Sequence, residues 1–251
     1  MILTKKHYYI LRIGDFATNA NTKIYYSVFT SLLCVDDYIT NHSNDCFNIM
    51  LYSTFIWTVI EFLLHMSNTR IIKPMFFYFF NHEYKLPILF GIFLQGFQEG
   101  GCVTTIGLYF GDRLFNYKSF LFLHLLIIFI IGNVSIKHRI NNFASKRLVN
   151  SNGSVSLMSI ITLFNFNTLY QHPPHFYRQM KMLFIMIYVC SFWTFTTWYK
   201  GFRKVEVYIK NEQDIEVIQM QSGYDTFYIL GYDVAFEIGM AYLFFYNILI
   251  T

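Results

Sequence analysis

Charge is scarce in this sequence. Only 14% of its 251 residues are Asp, Glu, Lys or Arg, where a soluble domain carries nearer a quarter. The basic residues are scattered, with no basic face interleaved with exposed polar helix, so a nucleic-acid partner is excluded. Proline is limited to four residues, and no stretch rich in Pro, Gly or Ser divides the chain. Residues 1–251 therefore read as one domain. Cysteine is sparse too. Cys34, Cys46, Cys102 and Cys190 lie far apart without CxxC spacing, which excludes a zinc site or a disulfide framework and leaves small buried apolar residues. The first 24 residues hold Lys5, Lys6, Arg12 and Lys23 but no apolar core followed by small residues. No cleavable signal is expected, and internal spans would drive insertion. There is no nucleophile elbow, phosphate-cradling glycine loop, CxxCH or triple histidine box. No catalytic residue and no metal ligand set is assigned.

What the chain has in quantity is apolar surface. Hydrophobic residues make up 55%, with 29 Phe and 20 Tyr. Its Phe, Tyr, Ile and Asn load fits an AT-rich genome. Crossing a hydrocarbon core of about 30 Å takes about 20 mostly apolar residues. Four segments meet that test: 46–66, 119–136, 181–199 and 226–250. Residues 86–111 are long enough but polar in the middle, 154–170 are short and carry asparagine, and 24–38 are borderline. The aromatic run "MFFYFF" at 75–80 suits a membrane interface. The predicted fold is an all-α polytopic transmembrane bundle of six or seven helices. Basic residues punctuate the gaps between runs, and counted over alternate loops they show no inside–outside bias.

One polar excursion interrupts the pattern. Within residues 200–225, "KVEVYIK" and "DIEVIQMQ" alternate apolar and polar. Period two predicts a short β-hairpin turning at "NEQ", with a loose polar loop as the alternative.

Ionisable groups inside apolar runs are costly and turn inward or toward water. Glu61 and His65 in "WTVIEFLLHMSN" stand four apart and share a helix face. They suit a carboxylate–imidazole pair, two ligands of a metal site, or a structural dyad. Glu99 follows a Leu- and Phe-rich run in "FQEGG". Asp233 and Glu237 lie one turn apart, so a cationic or polar partner, or protonation of one of them, is expected. These five are the intramembrane candidates for a proton or lipid-headgroup role. His124 in "FLFLHLLIIF" reads as a packing residue, and His172 and His175 in "QHPPHFY" as part of a rigid interfacial turn. Gly107 and Gly111 form a GxxxG pair that lets another helix approach closely. Gly100–Gly101 would loosen or start that helix, and Asp112 and Arg113 mark its far end.

Two likenesses carry functional expectations. Gly107, Leu108, Gly111, Leu114 and Phe115, with "FQEGG" upstream, resemble the third helix of cytochrome c oxidase subunit III. Phe227, Tyr228, Asp233, Val234 and Phe236 resemble that family's last helix. The family's glutamate beyond the Gly–Leu motif has no counterpart in "NYKSFLF". This resemblance implies a seven-helix, non-catalytic subunit of the respiratory chain in the mitochondrial inner membrane. It implies no bound cofactor, phospholipids held between helices, and the catalytic oxidase subunit as partner. Separately, "WTVIEFLLH" is similar to the segment before the first histidine box of the fatty-acid hydroxylase and sterol desaturase superfamily, although Arg70 stands where a second His is expected. That likeness implies a lipid-modifying enzyme with metal near Glu61, His65, His82 and His172. A small-solute or proton transporter is the third possibility; it calls for a water path along Glu99 and Asp233 and a helix broken at Gly100–Gly101.

Overall fold

The long apolar runs fold as helices, and strands occupy the polar gaps between them. The computed structural model describes residues 6–14, 18–80, 82–136, 143–149, 151–210, 216–219 and 222–250. In chain order the elements are β1 (Lys6–Ile13), α1 (Ala20–Asn41), α2 (Asp45–Met66), β2 (Arg70–Ile72), β3 (Phe76–Phe79) and β4 (His82–Lys85). Next come α3 (Ile88–Gly96), α4 (Val103–Asp112), α5 (Tyr117–Ile136), β5 (Phe143–Leu148), α6 (Asn152–Gln171) and α7 (Phe176–Tyr199). The remaining elements are β6 (Arg203–Lys210), β7 (Glu216–Gln219), α8 (Gly223–Tyr232) and α9 (Ala241–Ile250). A π-helical segment, Phe97–Cys102, joins α3 to α4, and another, Asp233–Met240, joins α8 to α9. Each joined pair is one rod, giving seven helices among the described residues.

Local chemistry sets several of these starts. Asn19 caps α1, its Oδ1 accepting from the backbone N–H of Asn21 at 2.9 Å. Ser222 and Asp225 close a reciprocal capping box at α8. Pro173 opens a single 3-10 turn that reverses the chain between α6 and α7.

Successive rods run in opposite directions, so their connections alternate between two ends. Among the described residues, one end holds every strand, and the other holds the tight links 42–44, 113–116 and 172–175. The sheet is antiparallel with strand order β2-β5-β1-β6-β7, and β3 and β4 pair separately as a hairpin. Its inner face packs Ile10, Val149 and Val205 against Ile229 and Leu230 of α8 and Phe195 of α7. The rod of α3 and α4 is central, touching α1, α2, α7 and α9. Around it Trp57, Phe110, Met182, Met186, Phe245 and Tyr246 form part of the main core.

Among the described residues, three helices are long and apolar enough to cross a membrane: Asp45–Met66, Pro173–Tyr199 and Gly223–Ile250. Asp45–Met66 has 22 residues and spans about 33 Å at about 1.5 Å per residue, enough for a core of about 30 Å. Tyr117–Gly132 is apolar but shorter.

The all-α reading needs correction. The protein is mostly helical, yet five strands form a sheet drawn from four separated parts of the chain. Within 200–225, β6 and β7 pair antiparallel, with Tyr208 opposite Ile218; the "NEQ" turn lies outside the described residues. That hairpin is the sheet's edge, because β6 also pairs along its length with β1. A hairpin alone is marginal in water, and three or more strands on an apolar face are not.

Candidate functional site

The sheet's inner face carries four arginines, each from a different strand. Register explains how. Arg12 in β1 lies directly opposite Arg203 in β6, and Arg70 in β2 lies opposite Arg147 in β5. Ile10 faces both Arg147 and Val205, and residues two apart in a strand share a face. The four guanidinium groups therefore point into the helices together with the apolar side chains of the same face.

Four carboxylates meet them there: Glu61 of α2, Glu99 of the first π segment, and Asp233 and Glu237 of the second. Arg70 is ion-paired with Glu61, and its Nη1 donates to Glu99 at 3.0 Å. Arg12 pairs with Glu99. Arg147 pairs with both Asp233 and Glu237. Arg203 donates to Asp233 at 2.7 Å and to the Thr194 hydroxyl at 3.1 Å. Glu61 is fully buried, Arg70 is 3% exposed and Arg203 is 4% exposed, so the Arg70–Glu61 and Arg203–Asp233 pairs lie out of reach of solvent screening. Around Glu99, Gln95 donates at 2.5 Å and the Trp57 indole at 3.3 Å. Buried Lys23 donates to Gln95 at 2.8 Å and to Gln98 at 2.5 Å.

Burying any one of these charges alone would be prohibitive. Together they compensate. Burial works against the Arg70 and Arg147 guanidinium groups, but the facing carboxylates more than offset it and hold both above the ordinary arginine value. For Arg203 burial prevails over the Asp233 carboxylate and pulls it down to about 10, which still leaves it a cation at neutral pH.

The structure thus gathers Glu61, Glu99, Asp233 and Glu237 into one region. It does not place His65 in a pair with Glu61: the Glu61 Oε1 is taken by Arg70, and His65 Nδ1 is buried without a hydrogen-bond partner among the described residues. Glu61 Oε2 and Arg70 Nε are buried in the same condition. Gly100 and Gly101 do not break their helix. The chain stays helical through the π segment, and both glycines lie against α2. Gly107 and Gly111 face Met182 and Met186 of α7; a Cβ on Gly111 would stand 3.0 Å from the Met182 backbone nitrogen.

At the other end Asp112 and Arg113 do not pair with each other. Arg178 holds Asp112 at 2.8 Å and Asp45 at 2.6 Å, and Arg113 holds Asp37 at 2.8 Å. Close to that end a chain of buried amides links three helices. Gln179 donates to Asn247 at 2.7 Å, Asn247 to Asn165 at 2.7 Å, and Asn165 to the Met240 carbonyl at 2.7 Å. His124 shares a 2.6 Å hydrogen bond with the Tyr188 hydroxyl, and His175 one of 2.9 Å with that of Tyr246. His172 lies at the end opposite Glu61 and His65, and His82 is exposed on the β3–β4 hairpin. Among the described residues, no three His, Cys, Asp or Glu side chains are grouped so as to hold a metal ion. All four cysteines are free and buried.

The carboxylates are legible in the sequence; their partners are not. Arg70, Arg147 and Arg203 look like charges flanking spans. The signal that would find two of them, Arg12 and Arg203, is the period-two pattern in "YYILRI" and "RKVEVYIK", which puts an arginine in phase with apolar neighbours on one strand face.

Fold and site together define a class: a helical bundle tied to an antiparallel sheet by a buried lattice of ion pairs. Compared with protein-family models, curated proteins and solved structures, the chain matches none.

Proposed function

We propose that this is an integral membrane protein working as a non-catalytic, supporting subunit of a larger membrane assembly. One observation carries that reading: Glu61, Glu99, Asp233 and Glu237 are each held by a strand arginine. A carboxylate already ion-paired to a guanidinium is a poor metal ligand, and its lattice fixes the sheet to the helices.

Membrane placement is supported by the apolar exterior. Leu32 and Ile39 of α1, Leu51 and Phe55 of α2, and Leu163 and Phe166 of α6 are all exposed. Apolar surface on that scale marks contact with lipid or protein, and α1, α5 and α6 would complete a bundle of six or seven spans. The finer reading is a divergent subunit III of cytochrome c oxidase in the mitochondrial inner membrane, and it rests on the likeness of residues 107–115 and 227–236. Its partners would then be the catalytic oxidase subunit and phospholipids lodged between helices.

Blue-native electrophoresis of detergent-solubilised membranes, followed by mass spectrometry, tests the proposal. Co-migration with haem-bearing subunits is the expected result. A 29.9 kDa chain running alone, without partners, rejects it.

A further inference from the structure

We propose that the sheet end faces the compartment from which the chain is inserted, and that the far end is the translocated one. This inference rests on the membrane reading above. It comes from the way the fold sorts the cations. Of the 19 Lys and Arg, Lys5, Lys137 and Arg139 lie outside the described residues. Four sit at the far end: Arg113 after α4, Lys118 at the start of α5, and Arg178 and Lys181 in the first turns of α7. The other twelve all sit at the sheet end, in strands, in their flanking turns or in the first turn of α1.

The excess does not depend on the ion-paired residues. With Lys23, the four lattice arginines and the ion-paired Lys6 and Lys146 set aside, the sheet end keeps five lysines, against Lys118 and Lys181 at the far end once the ion-paired Arg113 and Arg178 are set aside likewise. Lys and Arg retained on the side of synthesis set the orientation of a polytopic protein, and that leaflet's anionic headgroups favour them further.

Loop counting along the sequence misses this bias for a definite reason. The sign assigned to each loop depends on how many helices precede it, and residues 24–38 are borderline as a span. The structure supplies the parity: α1 runs from the sheet end to the far end, so the strands before α1, after α2, after α5 and after α7 all gather on one side.

The test uses the full chain in a bacterial host, with cysteines placed at Glu83 in β4 and Phe115 in the α4–α5 turn, both exposed. The four native cysteines are buried and give a low background. A membrane-impermeant maleimide should label Phe115→Cys in intact spheroplasts and Glu83→Cys only in inverted vesicles. The opposite pattern overturns the orientation while leaving the membrane reading intact. Labelling of both variants in both preparations overturns the membrane reading itself. Should either variant fail to accumulate, reporters fused to the C-terminus of the otherwise unaltered chain decide the matter, because α9 ends at the far end. Alkaline phosphatase should then be active and a fluorescent-protein fusion dark; the reverse contradicts the proposal.

Discussion

A methyl group at Gly100 would stand 2.5 Å from the Ser53 carbonyl oxygen and 2.7 Å from the Trp57 Cβ. Neither can retreat, since one is backbone and the other is the root of a buried indole. Gly100→Ala should therefore lower stability by about 1–3 kcal/mol, the usual cost of overpacking, read as thermal unfolding in detergent. Gly132 in α5, where a Cβ meets nothing within 4 Å, is the control, and Gly132→Ala should not lower the midpoint, gaining instead up to about 1 kcal/mol of helix propensity. Equal effects at the two positions would contradict this packing. At this scale the sequence was informative about acids and poor about bases. A carboxylate such as Glu61 inside an apolar run announces itself by its cost. An arginine such as Arg203, in the gap between spans, carries no such mark, and only strand register shows that it turns inward.

Both π segments carry lattice carboxylates, Glu99 in Phe97–Cys102 and Asp233 with Glu237 in Asp233–Met240. A π turn widens the helix locally and re-aims its side chains, and such segments are frequent where function or strain is concentrated. The strands they face were legible only in part. Alternation in "KVEVYIK" revealed β6, whereas β2 has three residues and β5 joins the others only across long stretches of helix. Period two over so few positions does not stand out from noise. β1 lies between β5 and β6, and proline in a central strand removes a ladder hydrogen bond. Ile10→Pro should consequently abolish hydrogen-exchange protection of β5 and β6 amides while α5 keeps its own. Unchanged protection in both strands would show that β1 is not the organising strand.

On the scale of the whole molecule, the seven rods and the five-stranded sheet of the described residues are joined through a small set of charges. The helices and their apolar faces were largely legible because composition and run length dictate them. The asymmetry between a sheet-bearing end and a plain end was not, since it depends on which distant strands meet. If the lattice is support, it should behave as a coupled unit. Glu61→Leu or Arg70→Met alone leaves a buried charge poorly compensated and should cost about 3–5 kcal/mol, whereas replacing a buried pair together with apolar groups is often close to neutral. A double-mutant cycle on Glu61 and Arg70, read as unfolding of the full chain in detergent, is the most direct test. The expected result is a large loss for each single variant and recovery of most of it when Glu61→Leu and Arg70→Met are combined. Single variants that unfold like the wild-type chain would contradict the account.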